Sequence, residues 1–229
     1  MRTVFISGST GNLGKAVAKR FLAAGDTIYG TLLPDEILPE DLISPEFIPV
    51  HVNLNDESAS STMINDIITR KSAIDVAVLT AGGYAEGDIA ATTSENLMQQ
   101  FKLNVETAYH AARPIFSNML AKNRGRIFMV GSKPGLDMHL AKGKVAYAMS
   151  KSLIFRLAEL MNDEAKGKDV VVNVIVPSII DTPQNRKSMP KEDFTKWVTA
   201  EQIADLILFH SSDQATPLKE TILKTYGGS

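Results

Sequence analysis

The chain has 229 residues, 44% of them hydrophobic and 22% charged, and its formal net charge at pH 7 is -2. These proportions are ordinary for a soluble globular protein, and the small net charge argues against nucleic acid or an anionic membrane as a partner. The absence of cysteine excludes disulfides, thiolate metal sites and a cysteine nucleophile, and it suits a reducing cytoplasm. We expect no signal peptide, no membrane helix and no metal site, because no apolar stretch approaches roughly 18 residues and the histidines are scattered.

The chain opens with a pattern that is typical of a dinucleotide site. Thr3–Ser7 is a short β-branched and aromatic run that predicts a buried strand, and an apolar stripe ending at Gly25 predicts a helix. Between them lies a glycine turn that consists of Gly8, Ser9, Thr10, Gly11, Asn12, Leu13 and Gly14. Glycines in this context let a pyrophosphate approach the N-terminus of the helix, where amide donors and the helix dipole favour it. The turn therefore predicts dinucleotide binding; the alternative is an ordinary tight turn.

The second predicted strand, at residues 27–31, ends at the position that separates NAD from NADP in nucleotide-binding folds. An acid there favours NAD, whereas space for a basic residue favours NADP. Leu32 occupies this position and carries no charge, and the nearest acids, Asp35 and Glu36, come slightly late in the chain. The sequence therefore leaves the choice between the two cofactors open.

Two further strands contribute turns to the same edge of the predicted sheet. Residues 46–52 and 73–79 predict these strands, and between them Asp56 caps a helix over residues 58–70. The turns that follow the two strands contain Asn53, Leu54, Ala81, Gly82 and Gly83. Because ligands of doubly wound sheets bind outside the carboxyl ends of the strands, these residues are candidate cofactor contacts.

A long helical region and a fifth strand come next. A capping box at residues 92–95 opens the helical region, which contains Asn104, a poor helix former, and ends near Gly125. Residues 126–130 predict the strand, and Ser132 lies at its carboxyl end. Residues 135–144 predict a loop.

Tyr147 and Lys151 are four residues apart in a helical pattern, so both side chains leave the same face of one helix. A nearby ammonium lowers the pKa of a phenol from about 10, and this would suit Tyr147 to proton transfer near neutral pH. A Tyr-x-x-x-Lys pattern standing alone is more often a packed ring beside a solvated charge. Its position next to several strand ends favours the chemical interpretation.

The remainder of the chain completes an alternation of strands and helices. Residues 170–176 predict a strand buried on both faces, residues 177–197 a long polar lid, residues 200–210 a helix and residues 221–226 a last strand. The alternation predicts an α/β Rossmann fold, in which a doubly wound parallel sheet of about seven strands carries helices on both faces. No linker or repeat is visible, so we expect a single domain over residues 1–229.

The assembled pattern resembles the short-chain dehydrogenase/reductase family over nearly the whole chain. The glycine turn, the T-A-G-G run at residues 80–83, the P-S-I-I-D-T run at residues 177–182 and the terminal Y-G-G follow the order of that family. The resemblance implies an oxidoreductase that transfers hydride between NAD or NADP and a small molecule. It also implies a homodimer or homotetramer that pairs through the long helices around Asn104 and Tyr147.

The resemblance assigns roles to individual residues. Tyr147 would donate or accept the proton, Lys151 would hold the ribose hydroxyls, and Ser132 would bind the substrate oxygen. Asn104 would position a relay water. The strand end that contains Pro177, Ile180 and Thr182 would face the nicotinamide amide.

A narrower likeness concerns the substrate. The D-T-P-Q-N-R-K-S-M-P run at residues 181–190 looks like dihydropteridine reductases, and it implies a planar substrate such as a quinonoid dihydropterin between Tyr84 and Trp197. Those reductases lack a serine at the place of Ser132 and carry an acid at that of Leu32. The serine suits a carbonyl substrate, so both substrate classes stay open. A non-catalytic nucleotide-sensing protein on the same fold is the alternative from another functional class.

Overall fold

The computed structural model describes residues 1–218 and 220–228. Within those residues, seven parallel strands form one sheet and two short strands pair separately. In chain order the strands are β1 (Thr3–Ser7), β2 (Thr27–Leu32), β3 (Phe47–His51), β4 (Val76–Leu79), β5 (Arg124–Val130), β6 (Asp169–Pro177), β7 (Ile180–Asp181), β8 (Val198–Thr199) and β9 (Ile222–Thr225). The helices are α1 (Asn12–Ala23), α2 (Glu57–Lys71), α3 (Ser94–Phe101), α4 (Thr107–Lys122), α5 (Lys133–Leu136), α6 (Val145–Glu164), α7 (Pro183–Ser188) and α8 (Ala200–His210).

The strand order of the large sheet is β3-β2-β1-β4-β5-β6-β9. β1 pairs in parallel with β2 on one side and with β4 on the other. The chain therefore adds strands on one side of β1 and then crosses to the other side, and a crevice opens where the direction reverses. The predicted fold class, a single-domain Rossmann α/β fold with helices on both faces, is confirmed.

Two hydrophobic layers cover the sheet, one on each face. On one face the layer includes Ile64 of α2, Ile115 of α4 and Ile154 of α6. On the other face it includes Phe21 of α1 and Ile203 of α8. Burial of each such side chain stabilises the fold by about 1.5–3 kcal/mol. Strand β6 lies between both layers, and this explains its near-continuous apolar sequence.

The capping box was predicted one residue too early. Thr93, not the residue before it, is the N-cap of α3, and its hydroxyl accepts the backbone N–H of Asn96 at 3.2 Å. The Asn96 side chain in turn accepts the backbone N–H of Thr93 at 3.0 Å. An asparagine thus completes the box where a glutamate was expected. The predicted cap of α2 is confirmed, because Asp56 accepts the N–H of Ala59 at 2.9 Å.

Two predicted irregular segments contain regular structure. Short polar caps explain this, because a single hydroxyl or carboxylate stabilises one helical turn without any apolar periodicity. The loop expected at residues 135–144 includes the end of α5 and a 3₁₀ turn, Met138–Leu140, in which Asp137 accepts the N–H of His139 at 3.0 Å. The predicted lid contains β7, α7 and a 3₁₀ turn, Phe194–Lys196, and β7 pairs with β8. Among the described residues, no helix has both the length and the apolar character needed to cross a bilayer.

Candidate active site

The glycine turn is shaped by close backbone contacts. Gly8 has a φ of 63°, a conformation that favours glycine, and its carbonyl accepts the N–H of Gly11 at 3.1 Å. A Cβ on Gly14 would stand 2.2 Å from the carbonyl oxygen of Gly8, so α1 can approach the turn only because residue 14 lacks a side chain.

The outer side of the same turn is open. A Cβ on Gly11 would meet only the carbonyl oxygen of Gly8, at 3.4 Å. Gly11 is also the N-cap of α1 and offers no side-chain acceptor to the amides of the first helical turn. Those amides and the helix dipole therefore form a place for an anion such as a pyrophosphate.

Hydrogen bonds fasten the turn to the two strands beside β1. The amide of Gly8 donates to the hydroxyl of Thr31 at 3.0 Å, and the hydroxyl of Ser9 donates to the Thr31 carbonyl at 2.9 Å. On the other side, the hydroxyl of Thr80 donates to the carbonyl of Ser7 at 2.6 Å. The ends of β1, β2 and β4 thus form one rigid edge that carries the predicted cofactor residues Gly8 to Gly14 and Ala81 to Gly83.

Three other predicted cofactor residues lie near the ends of β2 and β3. Leu32 is 2% exposed and packs in the core, so its side chain is turned away from the edge of the sheet. Leu54 is also buried, and its carbonyl accepts a hydrogen bond from Nδ1 of His110 at 2.9 Å. Asn53 is exposed and accepts the N–H of Asn55 at 3.1 Å. Their contact with a cofactor stays a prediction.

Asn104 lies in a π-helical turn, Lys102–Glu106, between α3 and α4. Its side chain is 1% exposed and clasps Gly83, accepting the Gly83 N–H at 2.9 Å and donating to the Gly83 carbonyl at 3.0 Å. The same amide nitrogen lies 3.0 Å from the oxygen of Gln100 and 3.0 Å from that of Ser150. The hydroxyl of Ser150 donates to the carbonyl of Tyr147 at 2.8 Å. Asn104 therefore links the turn after β4 to the helix that carries the tyrosine.

Lys151 is almost fully buried beside the ends of β4 and β5. The Nζ of Lys151 donates to the carbonyl of Val130 at 2.8 Å. A Cβ on Gly82 would stand 3.4 Å from the same Nζ, so Gly82 lies directly beside the lysine. Ser132, at the end of β5, is 4% exposed, and its hydroxyl oxygen accepts the N–H of Gly135 at 3.0 Å. This bond uses the oxygen as an acceptor and leaves the hydroxyl hydrogen to donate elsewhere.

The pKa values of the tyrosine and the lysine both shift because the groups are buried. Burial raises the pKa of Tyr147, and a hydrogen bond with Ser132 opposes that rise. Burial lowers the pKa of Lys151 to about 8. The expectation that Lys151 lowers the pKa of Tyr147 is wrong in this structure, because desolvation of the phenolate dominates and the ammonium donates to Val130.

The two residues predicted to contact the substrate differ in exposure. Tyr84 is 53% exposed, and its ring meets that of Tyr147 edge to face at a centroid distance of 4.9 Å. Partial loss of solvent around the hydroxyl, together with a hydrogen bond to Glu86, raises the pKa of Tyr84 to about 12. Trp197 is 6% exposed and packs on Phe194 at a centroid distance of 4.7 Å. The exposed ring of Tyr84 thus presents a surface beside Tyr147. Trp197 is buried instead and packs within its own chain segment against Phe194.

The strand end after β6 folds into a compact segment. Thr182 is 8% exposed and caps α7, its hydroxyl accepting the N–H of Asn185 at 3.1 Å. The side chain of Asn185 donates to the carbonyl of Ile180 at 2.8 Å. Pro177 ends β6 beside Thr225 of β9. The Ile180 carbonyl is therefore already bonded within the segment, and the Thr182 hydroxyl retains a hydrogen to donate.

The sequence interpretation did not include Gln100 and Ser150, the buried partners of Asn104. A signal was present, because Gln100 precedes Asn104 by four residues in a helical pattern and Ser150 directly precedes Lys151. Across residues 1–218 and 220–228, no group of three or more His, Cys, Asp or Glu is placed to hold a metal ion. A groove of about 670 Å³ between β3 and α2 contains none of the catalytic candidates.

The sequence and the structure of this chain are both similar to known proteins over most of its length. A family model described as short chain dehydrogenase matches residues 2–193. The 3-oxoacyl-(acyl-carrier-protein) reductase of Buchnera aphidicola is 24% identical, over 99% of this chain and 96% of that protein. The cyclic-di-GMP-binding biofilm dispersal mediator protein of Escherichia coli is 25% identical, over 94% and 91%. A solved oxidoreductase of Burkholderia thailandensis, from the short chain dehydrogenase/reductase family, has a TM-score of 0.86 and 29% identity, over 99% of this chain and 92% of that one.

Proposed function

The chain belongs to the short-chain dehydrogenase family and is an NAD(P)-dependent oxidoreductase, and we propose that its substrate is a small carbonyl compound or the corresponding alcohol. The single observation that carries the substrate class is the buried Ser132 hydroxyl after β5, which lies close enough to Tyr147 to oppose the rise in the pKa of that phenol. Two hydroxyls within hydrogen-bonding reach of each other are able to donate to one substrate oxygen together.

The residues present fit a dinucleotide cofactor. The open side of Gly11 and the uncapped amides of α1 suit a pyrophosphate, and Lys151 places a cation beside Gly82 at the ends of the strands. The hydroxyl of Thr182, which retains a hydrogen to donate, would hold the nicotinamide amide. A bound nicotinamide supplies the hydride.

The protein's own groups handle the oxygen and the proton. The Ser132 hydroxyl donates to the carbonyl oxygen and stabilises the negative charge that develops there. Tyr147 donates its proton to that oxygen in the reductive direction, and its pKa above the usual value keeps it protonated at neutral pH. Lys151 supplies positive charge at the ends of β4 and β5, and Asn104 holds the helix of Tyr147 against the turn after β4.

A carbonyl substrate has more support than a pterin. The Buchnera relative is named as a reductase of a 3-oxoacyl group, which is a carbonyl compound, and none of the relatives described above is named for a pterin. Trp197, which would have stacked on a planar ring, is buried against Phe194. Tyr84 remains beside Tyr147 as a wall for the substrate.

The experiment compares Ser132→Ala and Tyr147→Phe in a panel of small ketones, 3-oxoacyl thioesters and quinonoid dihydropterin, followed by nicotinamide absorbance. We expect Ser132→Ala to cost about 10²-fold and Tyr147→Phe about 10²–10⁴-fold in kcat on a carbonyl, with cofactor affinity retained. Ser152→Ala is the control serine variant, because Ser152 lies on α6 with Tyr147 and its hydroxyl donates to the Met149 carbonyl. Full turnover of Ser132→Ala would contradict a carbonyl substrate.

The E. coli relative, named for binding a cyclic dinucleotide, supports a second candidate function, which is nucleotide sensing. Tight cofactor binding with no turnover of any compound in the panel would favour that candidate. We also propose that the protein works in the cytoplasm, which the absence of cysteine supports, and that two copies pair through α4 and α6.

A further inference from the structure

An acidic side chain reaches the glycine turn from the loop after β2. Glu36 lies four residues beyond Leu32, and the chain between them folds back, with the Glu36 N–H donating to the Leu33 carbonyl at 3.0 Å. One carboxylate oxygen of Glu36 accepts the hydroxyl of Thr10 at 2.5 Å, and the other accepts the N–H of Leu33 at 3.0 Å. A carboxylate therefore lies directly against Thr10, the third residue of the predicted cofactor turn.

The backbone of Glu36 is also held in place. Nε2 of His51, at the end of β3, lies 2.9 Å from the Glu36 carbonyl oxygen. Glu36 is thus held through its carboxylate beside the ends of β1 and β2 and through its backbone at the end of β3. A group fixed in this way needs little reorganisation when a ligand arrives.

The lysines at the start of α1 pair with an acid other than Glu36. Lys15 and Lys19, the lysines on the first turns of α1, both lie against Asp41, with Nζ–oxygen distances of 3.3 Å and 2.6 Å. No lysine or arginine forms an ion pair with Glu36 in the part of the chain that the structure describes. Asp35 precedes it and is exposed.

We propose that Glu36 makes this enzyme select NADH over NADPH, an inference that rests on the proposed dinucleotide-dependent function. A carboxylate has about four acceptor positions, and the bonds from Thr10 and Leu33 use two of them. The remaining positions accept hydrogen bonds from the adenosine ribose hydroxyls of NADH. The 2′-phosphate of NADPH brings like charge to the same place, where Glu36, which has no ion-pair partner among the described residues, repels it.

This assignment explains how Leu32 is tolerated at the usual selecting position. Leu32 is 2% exposed and contributes to the core between the sheet and α1, so residue 32 serves packing. The turn at residues 33–36 then returns a carboxylate to the same edge of the sheet. The acid that selects the cofactor therefore lies four residues later in the sequence than usual, but its carboxylate reaches the same edge of the sheet.

The test measures dissociation constants of NADH and NADPH for the full chain by titration calorimetry, and by energy transfer from Trp197, the sole tryptophan. We expect the unaltered protein to bind NADH on the order of 100-fold more tightly, and Glu36→Gln to bring the ratio within about tenfold while keeping a side chain that accepts hydrogen bonds. Glu36→Arg should invert the preference. Asp35→Asn removes the same charge one residue away and should leave the ratio unchanged.

Each other outcome is decisive. Equal or tighter binding of NADPH by the unaltered protein overturns the proposal, as does a Glu36→Gln ratio equal to that of Asp35→Asn. A purely structural role for Glu36 would lower the melting temperature and weaken both cofactors equally, and that result also overturns it. Absence of binding by either cofactor would instead overturn the proposed function itself.

Discussion

At the scale of single residues, burial controls the chemistry more than neighbouring charge does. Lys151 has 6% of its surface exposed, and this lowers its pKa to about 8. Tyr147 on the same helix face shifts the other way for the same reason, because both environments favour the neutral form. The ammonium of Lys151 is therefore the group of this pair whose charge changes within the working pH range.

We predict that cofactor affinity depends on pH through Lys151. A dinucleotide is an anion and binds the protonated ammonium preferentially, so affinity is constant below pH about 8 and falls by up to about tenfold per pH unit above it. Calorimetric titration with NADH from about pH 6.5 to about 9.5 measures this. Lys151→Met should bind more weakly and without this dependence. A flat profile for the unaltered protein would show that the charge of Lys151 does not contribute.

A second prediction at this scale separates two glycines of the same turn. Gly14→Val should destabilise the fold by at least about 1–3 kcal/mol, because a Cβ at residue 14 would stand 2.2 Å from the Gly8 carbonyl oxygen. Gly11→Val should keep the melting temperature and still abolish cofactor binding, because residue 11 has room within the protein and faces the ligand side. Thermal unfolding with and without NADH measures both. Normal NADH binding by Gly11→Val would show that the pyrophosphate does not bind at this turn.

At the scale of secondary structure elements, the π-helical turn between α3 and α4 determines where Asn104 lies. A π turn adds one residue to the helical ladder, and such turns are frequent at functional sites. Here the extra residue rotates a buried amide toward Gly83 and toward Ser150 of α6. Three elements are joined by one side chain.

We predict that Asn104→Leu loses stability and activity together. The unfolding free energy should fall by about 2–4 kcal/mol, because the N–H and carbonyl of Gly83 lose a buried partner, and kcat should fall as Tyr147 loses its alignment. Asn162→Leu is the matched control, since Asn162 clasps Val172 in the same two-ended way, at 2.7 Å and 2.9 Å, at a place remote from the site. This control should lose stability and keep kcat. Denaturant unfolding and steady-state kinetics measure both, and equal kcat values for the two variants would deny Asn104 a positioning role.

At the scale of the whole molecule, the sheet buries its two faces and leaves one helix with an apolar outer stripe. Met149, Leu153 and Leu160 of α6 are 51%, 41% and 64% exposed, and their spacing places them on one side of the helix. Tyr109 of α4 is 42% exposed. A second copy of the chain would cover this surface, as the proposed pairing requires.

We predict that Leu153→Glu converts the protein to a monomer, because pairing would bury an uncompensated charge. Light scattering after size exclusion and sedimentation velocity measure the mass. Ile43→Glu is the control, because Ile43 is 70% exposed in the loop before β3, and its mass should match that of the unaltered protein. A monomeric unaltered protein at micromolar concentration would contradict the pairing.

The sequence by itself determined the features that depend on local spacing. Strand, glycine turn and helix follow one another within the first 23 residues, and the bounds of α8 were predicted to the residue. Tyr147 and Lys151 share a helix face through a four-residue interval, and Ser132 follows directly after a strand. Such features are encoded by neighbours along the chain, because 3.6-residue and two-residue periods and turn glycines act over a few residues.

Tertiary structure alone decided the contacts between distant residues and the degree of burial. Asn104 meets Ser150 across 46 positions, and Thr10 meets Glu36 across 26. Trp197 is packed into its segment, and Lys151 is buried enough for its pKa to fall. These outcomes depend on which elements pack together and how much water they exclude, and local sequence patterns contain no measure of either.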